Sequence, residues 1–161
     1  YLKKLSLEYH KKLNEYEKKI WQSAGTEFNI NSPKQLGEIL FEKMALSKKG
    51  IRKTAGGAIS TKESELEKLK DIHPVISDIH EYRGIQKLLS TYIDNLPNKV
   101  DKEGRLHTHL NQTGTTTGRM SSNDPNLQNI PARGEGSEVR RAFVATKEYL
   151  VEAEVVVAQT Q

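Results

Sequence analysis

The sequence predicts an α+β fold that is mostly α, with two long amphipathic helices followed by a short antiparallel β region. Three features carry that expectation. Apolar residues recur every three or four positions from Leu2 to Ala24, and again from Ile76 to Tyr92, each time marking one stripe on a helix. Between Arg105 and Leu110 the pattern changes to R-L-H-T-H-L, an alternation that fits a strand. Thr115 to Arg133 then reads T-T-T-G-R-M-S-S-N-D-P-N-L-Q-N-I-P-A-R, rich in glycine, proline and amide side chains and nearly free of apolar residues, so it is neither an ordinary helix nor a core strand.

Taken in order, the first stripe comprises Leu2, Leu5, Tyr9, Leu13, Tyr16, Ile20 and Ala24, a helix about 35 Å long that Gly25 stops. The pairs Lys3-Lys4, Lys11-Lys12 and Lys18-Lys19 recur near a heptad spacing away from that stripe, either as a solvated face or as a row that tracks phosphates. Ser32-Pro33-Lys34-Gln35 opens the next helix, with serine as cap, proline in the first turn and glutamine closing a capping box, and the helix runs to about Met44. Residues 45–60 are rich in glycine, lysine and serine and hold Lys48, Lys49, Arg52 and Lys53, which predicts a mobile basic loop that meets phosphates by charge rather than by shape.

Ser60 and Glu63 offer a second capping box, for a short helix ending near Ile72. Pro74 opens the second long helix, whose stripe of Ile76, Ile79, Tyr82, Ile85, Leu89 and Tyr92 is closed by Pro97. Two such helices suit an antiparallel pair in which each buries the other's stripe. Arg83 on this helix fits an ion pair with a neighbouring acid. On the strand, His107 and His109 share a face; two histidines without a third ligand make a hydrated strand face the simpler reading than a metal site.

Composition narrows the class. The chain has 161 residues, 35% hydrophobic and 29% charged, enough for one cored domain or for one subdomain with part of another. The net charge of +4 fits a polyanionic partner without requiring one. Cysteine is absent, which excludes disulfides and thiolate metal sites. Neither a membrane-spanning apolar run nor a signal-peptide pattern is present, so an intracellular location is expected.

The polar stretch carries the functional signal. Gly118 lets the backbone turn sharply or approach a partner closely, and Arg119 presents a planar donor fork suited to base-edge acceptors and phosphate oxygens. Asn126, Gln128 and Asn129 add amides of the kind that read grooves. Composition alone leaves two readings open, a nucleic-acid contact and an Asx-rich loop whose side chains satisfy their own backbone.

The run N-Q-T-G-T-T-T-G-R-M-S-S-N-D-P-N-L-Q-N-I-P from Asn111, with E-V-R-R-A-F ending at Phe143, resembles the stretch that opens the palm of family A DNA polymerases, the bacterial DNA polymerase I group. Upstream, F-N-I-N-S-P-K-Q-L-G-E-I-L-F (Phe28 to Phe41), H-P-V-I (His73 to Ile76), Tyr82-Arg83 and S-T-Y-I-D (Ser90 to Asp94) are similar to the same family's thumb, so the resemblance extends to about Ala153. It implies a helical thumb over residues 1–98, including the basic loop, and a segment opening the palm over 99–161 with strands and the polar loop.

The resemblance also implies roles. Arg119 would donate to minor-groove acceptors at the primer-template junction, purine N3 and pyrimidine O2, which every correct pair shares. Asn126, Gln128 and Asn129 would hold template and primer backbone, and Arg133, Arg140 and Arg141 would bind phosphates, with a structural pairing within the palm as the alternative for Arg140 or Arg141. Asn29, Asn31, Ser32 and Lys34 near the thumb tip are implied duplex-backbone contacts, Ser32 equally a cap alone. Lys87 and the Ser90-Thr91-Tyr92 end of the second long helix look like the family's backbone contact, although Leu89 stands where many relatives carry a lysine.

Catalysis in this family needs two metal-bound aspartates, because Mg²⁺ activates the primer hydroxyl and stabilises the leaving pyrophosphate. Relatives show D-Y-S-Q-I-E-L-R after the strand that here reads Tyr149-Leu150-Val151-Glu152-Ala153; this chain shows E-V-V-V-A-Q-T-Q. Glu154 is thus the carboxylate at the metal position, and Gln159 stands where the family has a glutamate. The sequence reaches Gln161 without the fingers helix and the second aspartate. The expectation is therefore a chain without catalytic or metal-binding residues of its own and with no cofactor, Mg²⁺ belonging to a complete polymerase.

The expected function is primer-template DNA binding as the thumb and palm-opening part of a DNA-directed DNA polymerase, an enzyme of nucleotidyl transfer in replication or repair, not competent alone. Two other readings stand beside it. One is a degenerate, noncatalytic DNA-binding module, to which the missing aspartate points; the other is a helical protein-interaction scaffold, against which the intact Arg119 stretch argues. Expected partners are primer-template duplex DNA and a second polypeptide carrying the fingers and the rest of the palm, with no membrane, in the nucleoid-associated cytoplasm.

Overall fold

In a computed structural model the chain is described over residues 1–144. The strand expected at Tyr149 to Ala153, and Glu154 and Gln159, lie outside the described residues. The backbone groups into two compact units, Glu8–Lys87 and a second made of Tyr1–Leu7 with Leu88–Gln161. Helices make up most of the Glu8–Lys87 unit, and among the described residues the β structure is one small antiparallel pair with two isolated bridges, the α+β, mostly α class that the periodicities predict.

Helix α1 spans Leu2–Ala24 and buries Leu5, Tyr9, Ile20 and Ala24 of its stripe. Its end is a Schellman motif: Gly25 adopts φ +64°, its N–H reaches the Gln22 carbonyl, and the Thr26 N–H reaches that of Trp21, both at 3.3 Å. Two of the paired lysines contact rings on their own helix, Lys12 over Tyr9 and Lys19 over Tyr16 at about 5 Å.

Helix α2 spans Pro33–Glu38 and widens into a π-type turn over Ile39–Lys43. Ser32 is its cap, accepting from the Gln35 N–H at 3.4 Å. The expected capping box does not close. Gln35 Oε1 instead accepts from the Asn29 N–H at 2.7 Å, because the Ser32 N–H is already bonded to the Asn29 carbonyl.

Helix α3 is shorter than its sequence suggests, Glu63–Leu66 followed by a 3₁₀ turn at Glu67–Leu69. Lys62, not Ser60, occupies the cap position; the Ser60 hydroxyl acts one step earlier, accepting from the Lys62 N–H at 3.3 Å.

Helix α4 spans Val75–Leu88, continues as a π-type turn over Leu89–Ile93, and is followed by a 3₁₀ turn at Leu96–Asn98 that contains Pro97. In the Glu8–Lys87 unit its buried Val75, Ile76, Ile79 and Tyr82 join Ile20, Leu36, Leu40, Phe41, Leu66 and Leu69 in one apolar cluster. Arg83 does not pair with an acid of its own helix. Its Nη1 donates to the Thr61 carbonyl at 2.6 Å, and burial lowers its pKa while the charge of Glu63 works in the opposite direction.

The other unit buries Leu5, Leu89, Tyr92, Ile93, Leu96, Ile130 and Val139. Here the Ser6 hydroxyl at the start of α1 donates to Asp94 at 2.7 Å. Strand β1 is His109–Asn111, pairing with β2, Ser121–Asn123, in the register His109 to Asn123, Leu110 to Ser122 and Asn111 to Ser121. The strand expected from Arg105 begins only at His109. Val100 and Leu106 form a separate bridge around a turn in which Gly104 has φ +78°, and His107 is drawn aside to Asp101 at 2.7 Å. No helix among the described residues is long and apolar enough to cross a membrane.

Ile79 is fully buried in the larger apolar cluster. Ile79→Ala is expected to destabilise the chain by about 2 to 5 kcal/mol, the range for removing a large aliphatic side chain from a packed core. Urea denaturation measures it; a loss below about 0.5 kcal/mol, the level of an ordinary surface change, would show that this stripe is not core.

Candidate nucleic-acid interface

The polar stretch leaves β1 and returns through β2, and its first bend is fitted to glycine. A Cβ on Gly114 would lie 2.7 Å from Ser121 Oγ and 3.0 Å from Asn111 Nδ2. Gly118 has φ +74°, and the Thr115 hydroxyl donates to the Arg119 carbonyl at 2.6 Å, so the backbone under Arg119 is fixed from both sides. The Arg119 side chain is exposed, and no hydrogen bond or ion pair engages its guanidinium among the described residues.

The loop after β2 is organised around Ser122 of that strand, which is only 3% exposed. Its oxygen accepts from the Leu127 N–H at 3.1 Å and lies 2.6 Å from the Thr108 hydroxyl, which in turn reaches the Pro125 carbonyl at 2.8 Å. The shortest consistent set has Ser122 donating to Thr108 and Thr108 donating to Pro125. A buried polar group so satisfied fixes one conformation, because any other leaves a donor or acceptor dry.

Four further bonds tie the loop to its surroundings. The Tyr92 hydroxyl donates to the Asn129 carbonyl, and the Lys99 ammonium pairs with Asp124. Arg140 donates from Nε to the Pro131 carbonyl at 2.9 Å and from Nη2 to that of Ile130 at 3.0 Å. These bonds describe the structural alternative for Arg140, whereas Arg133 and Arg141 are exposed. Tyr92 likewise turns its hydroxyl inward and is buried, so of the Ser90-Thr91-Tyr92 end only Ser90 and Thr91 face solvent. Leu89 is buried, which accounts for an apolar residue there.

The amides are partly spent on the loop itself. Asn126 Oδ1 accepts from the Gln128 N–H at 3.0 Å, and Gln128 Nε2 donates to the Met120 carbonyl at 3.0 Å. Asn129 is exposed and commits only its carbonyl, to Tyr92. The Asx-loop reading and the contact reading thus coexist in the same side chains: one end of Asn126 and of Gln128 shapes the loop and the other end faces outward.

Within the Glu8–Lys87 unit, the segment before α2 is built in the same way. Asn29 Oδ1 accepts from the Asn31 N–H at 2.9 Å, and Asn31 Nδ2 donates to the Tyr82 hydroxyl at 3.1 Å. Ser32 is the helix cap, Lys34 is exposed, and Lys87 is exposed near the end of α4. In the basic loop Lys48 pairs with Glu42 at 2.8 Å, while Lys49, Arg52 and Lys53 are exposed. Among the described residues no group of three histidine or acidic side chains is arranged to hold a metal ion.

Ser122, Thr108 and Lys99 were not singled out by the sequence. A serine or threonine in a polar stretch looks like any other, and the register that sets Ser122 opposite Leu110 is revealed only by the fold.

Comparison with known proteins gives a coherent result. A sequence model of DNA polymerase family A matches residues 1–156. The chain is 48% identical over 153 residues to DNA polymerase I of Synechocystis sp., covering 94% of this chain and 15% of that protein. It is 50% identical to DNA polymerase I of Bacillus subtilis, over 93% of this chain and 17% of that protein. For the thermostable DNA polymerase I of Thermus aquaticus the identity is 45%, over 95% and 18%. The chain therefore spans less than a fifth of the length of these relatives. Among solved structures it is similar to the POL domain of Pol1 from M. smegmatis in complex with DNA primer-template and dNTP, with a TM-score of 0.83 and 37% identity over 92% of this chain and 26% of that one.

Ser122→Ala is expected to cost about 1 to 3 kcal/mol of stability by leaving the Leu127 N–H without its acceptor and removing the hydroxyl bonded to Thr108. A denaturant midpoint equal to the parent's would contradict the hub. Acid stability provides a second check. The Lys99 hydrogen bond, and then its charge, hold the Asp124 carboxyl below its ordinary value. An acid with a depressed folded pKa contributes stability that is present above its unfolded value, about 3.9, and lost as pH falls through the folded value. Asp124→Asn should therefore lower stability at pH 6 and flatten the decline below pH 4; parallel pH profiles for parent and variant would show that the pair contributes nothing.

Proposed function

Because this chain belongs to DNA polymerase family A, we propose that it grips primer-template DNA as the thumb and palm-opening part of a DNA-directed DNA polymerase. In this reading residues 1–98 form the thumb and 99–161 open the palm. The observation that carries it is Arg119, an exposed guanidinium on a backbone fixed by Gly118 and Thr115. A cation held out from an ordered loop suits a groove, because the backbone beneath it loses little freedom on binding.

The chemistry of recognition follows from the groups available. Purine N3 and pyrimidine O2 occupy equivalent places in the minor groove for every correct pair, so one arginine fork checks pair shape without favouring a sequence. The outward ends of Asn126 and Gln128, with Asn129, would hold sugar and phosphate near that pair, and Arg133 would add a phosphate contact. Asn29, Asn31, Ser32, Lys34, Lys87, Ser90 and Thr91 would contact duplex backbone, and Arg140 would serve by holding Ile130 and Pro131 in place. The name of the M. smegmatis neighbour, a complex with primer-template and dNTP, supports DNA as the partner.

Nucleotidyl transfer in replication or repair belongs in this proposal to the assembled polymerase, with the fingers and the rest of the palm supplied beyond these residues or by a second polypeptide, in the nucleoid-associated cytoplasm. Mg²⁺ would be held there by carboxylates, of which Glu154 is the one this sequence offers at the first metal position. The substitution of glutamate for the family's aspartate is the observation that favours a second reading, a DNA-binding module without catalysis.

Arg119→Ala is expected to weaken primer-template binding by about 1 to 3 kcal/mol at matched salt, the value of a good base-edge contact. Fluorescence anisotropy measures it, and unchanged affinity would sink the groove assignment.

A further inference from the structure

The basic loop is held by a single buried carboxylate. Glu65 in α3 is 5% exposed, low for an ionisable residue. Its Oε2 accepts from the Arg52 N–H at 3.0 Å and from the Lys68 ammonium at 2.6 Å, and its Oε1 lies 3.9 Å from Arg52 Nε. Lys68 also donates to the Gly50 carbonyl at 2.9 Å. One ion pair thus fixes the backbone at both Gly50 and Arg52.

The far side of the loop closes on itself. The Ser60 N–H donates to the Arg52 carbonyl at 2.9 Å, Lys53 and Ile59 form an antiparallel bridge, and the Thr54 N–H reaches the Ala58 carbonyl at 2.8 Å. What results is a small hairpin whose only attachment through a side-chain carboxylate, among the described residues, is Glu65. Its cations point outward: the Arg52 side chain is 86% exposed, and Lys49 and Lys53 are exposed as well. The carboxyl is held below its ordinary value, first by the Lys68 hydrogen bond and then by the Arg52 N–H, so it stays charged at neutral pH.

We propose that Glu65 is a positioning residue for duplex binding, presenting Lys49, Arg52 and Lys53 to DNA phosphates through its bonds to Arg52 and Lys68. The inference rests on the duplex-binding reading given above. It makes an unusual demand on sign. An acidic side chain beside a basic hairpin opposes a polyanion by simple charge, so its removal should tighten DNA binding. If Glu65 works by aiming three cations, its removal weakens binding instead.

The test is duplex affinity over a range of salt for the full chain, Glu65→Ala and Glu65→Gln, with thermal melts of each. The full chain binds primer-template duplex, and Glu65→Ala binds it roughly three- to tenfold more weakly at low salt, with a salt slope reduced by about one, the loss of one phosphate contact. Glu65→Gln still accepts from the Arg52 N–H but no longer pairs with Lys68, and falls between the two. Tighter or equal binding with an unchanged slope in a cooperatively melting variant overturns the proposal. If Glu65→Ala does not fold, Glu65→Gln decides by the same criterion. A full chain that fails to bind duplex overturns the underlying reading and this proposal with it, an outcome separable from the variants' failure because it is read on the parent alone.

Discussion

The hydroxyl of Ser122 lies buried where β2 turns into Asn123-Asp124-Pro125, and the polar stretch keeps its shape through it. A segment with so few apolar residues cannot be ordered by burying surface, and its exposed hydrogen bonds compete with water for little net gain. Bonds made out of water therefore decide its conformation. From Ser122 they run to Thr108, Pro125 and Leu127, and a part-buried outer set adds Tyr92 to Asn129 and Arg140 to Ile130 and Pro131, with the exposed Lys99–Asp124 pair at the rim. Because that frame is complete without a ligand, Arg119 is displayed rather than consumed.

The same division of labour recurs in the other unit. Asn29, Asn31, Ser32 and Gln35 hydrogen-bond their own backbone or the Tyr82 hydroxyl, while Lys34 is left outward. Glu65 and Lys68 do for the basic hairpin what Ser122 does for the polar loop. In each case neutral or paired groups set geometry and exposed cations face solvent. That arrangement matches the energetics of a duplex partner, where phosphate charge supplies most of the affinity and amides supply register.

How much of this was legible in the sequence follows from the distance over which each signal acts. The stripes of α1 and α4, the stop at Gly25 and the cap at Ser32 are local patterns, and the structure has them where the spacing puts them. The capping boxes failed because a competing partner intervened, the Asn29 carbonyl ahead of the first motif and the Lys62 N–H within the second. Strand β1 starts late because Asp101 captures His107 across a turn. Ser122, Tyr92 and Arg140 were least legible: their partners stand 14, 37 and 10 residues away, and periodicity reports only near neighbours. Arg119 could be picked out because its context, glycine before it and amides after it, is unusual by itself. The family pattern also located it, though not the hydroxyl that holds its loop.

The central claim is that Arg119 reads the minor-groove acceptor of a terminal base pair. The most direct measurement is a thermodynamic cycle in which primer-template duplexes carry either a normal purine or its 3-deaza analogue at the primer-terminal pair, the analogue lacking only the N3 acceptor, and each is bound by the parent chain and by Arg119→Ala. The account predicts a coupling energy of about 1 kcal/mol or more, with the analogue weakening the parent and leaving the variant unaffected. Equal losses in both proteins, and so no coupling, would contradict it.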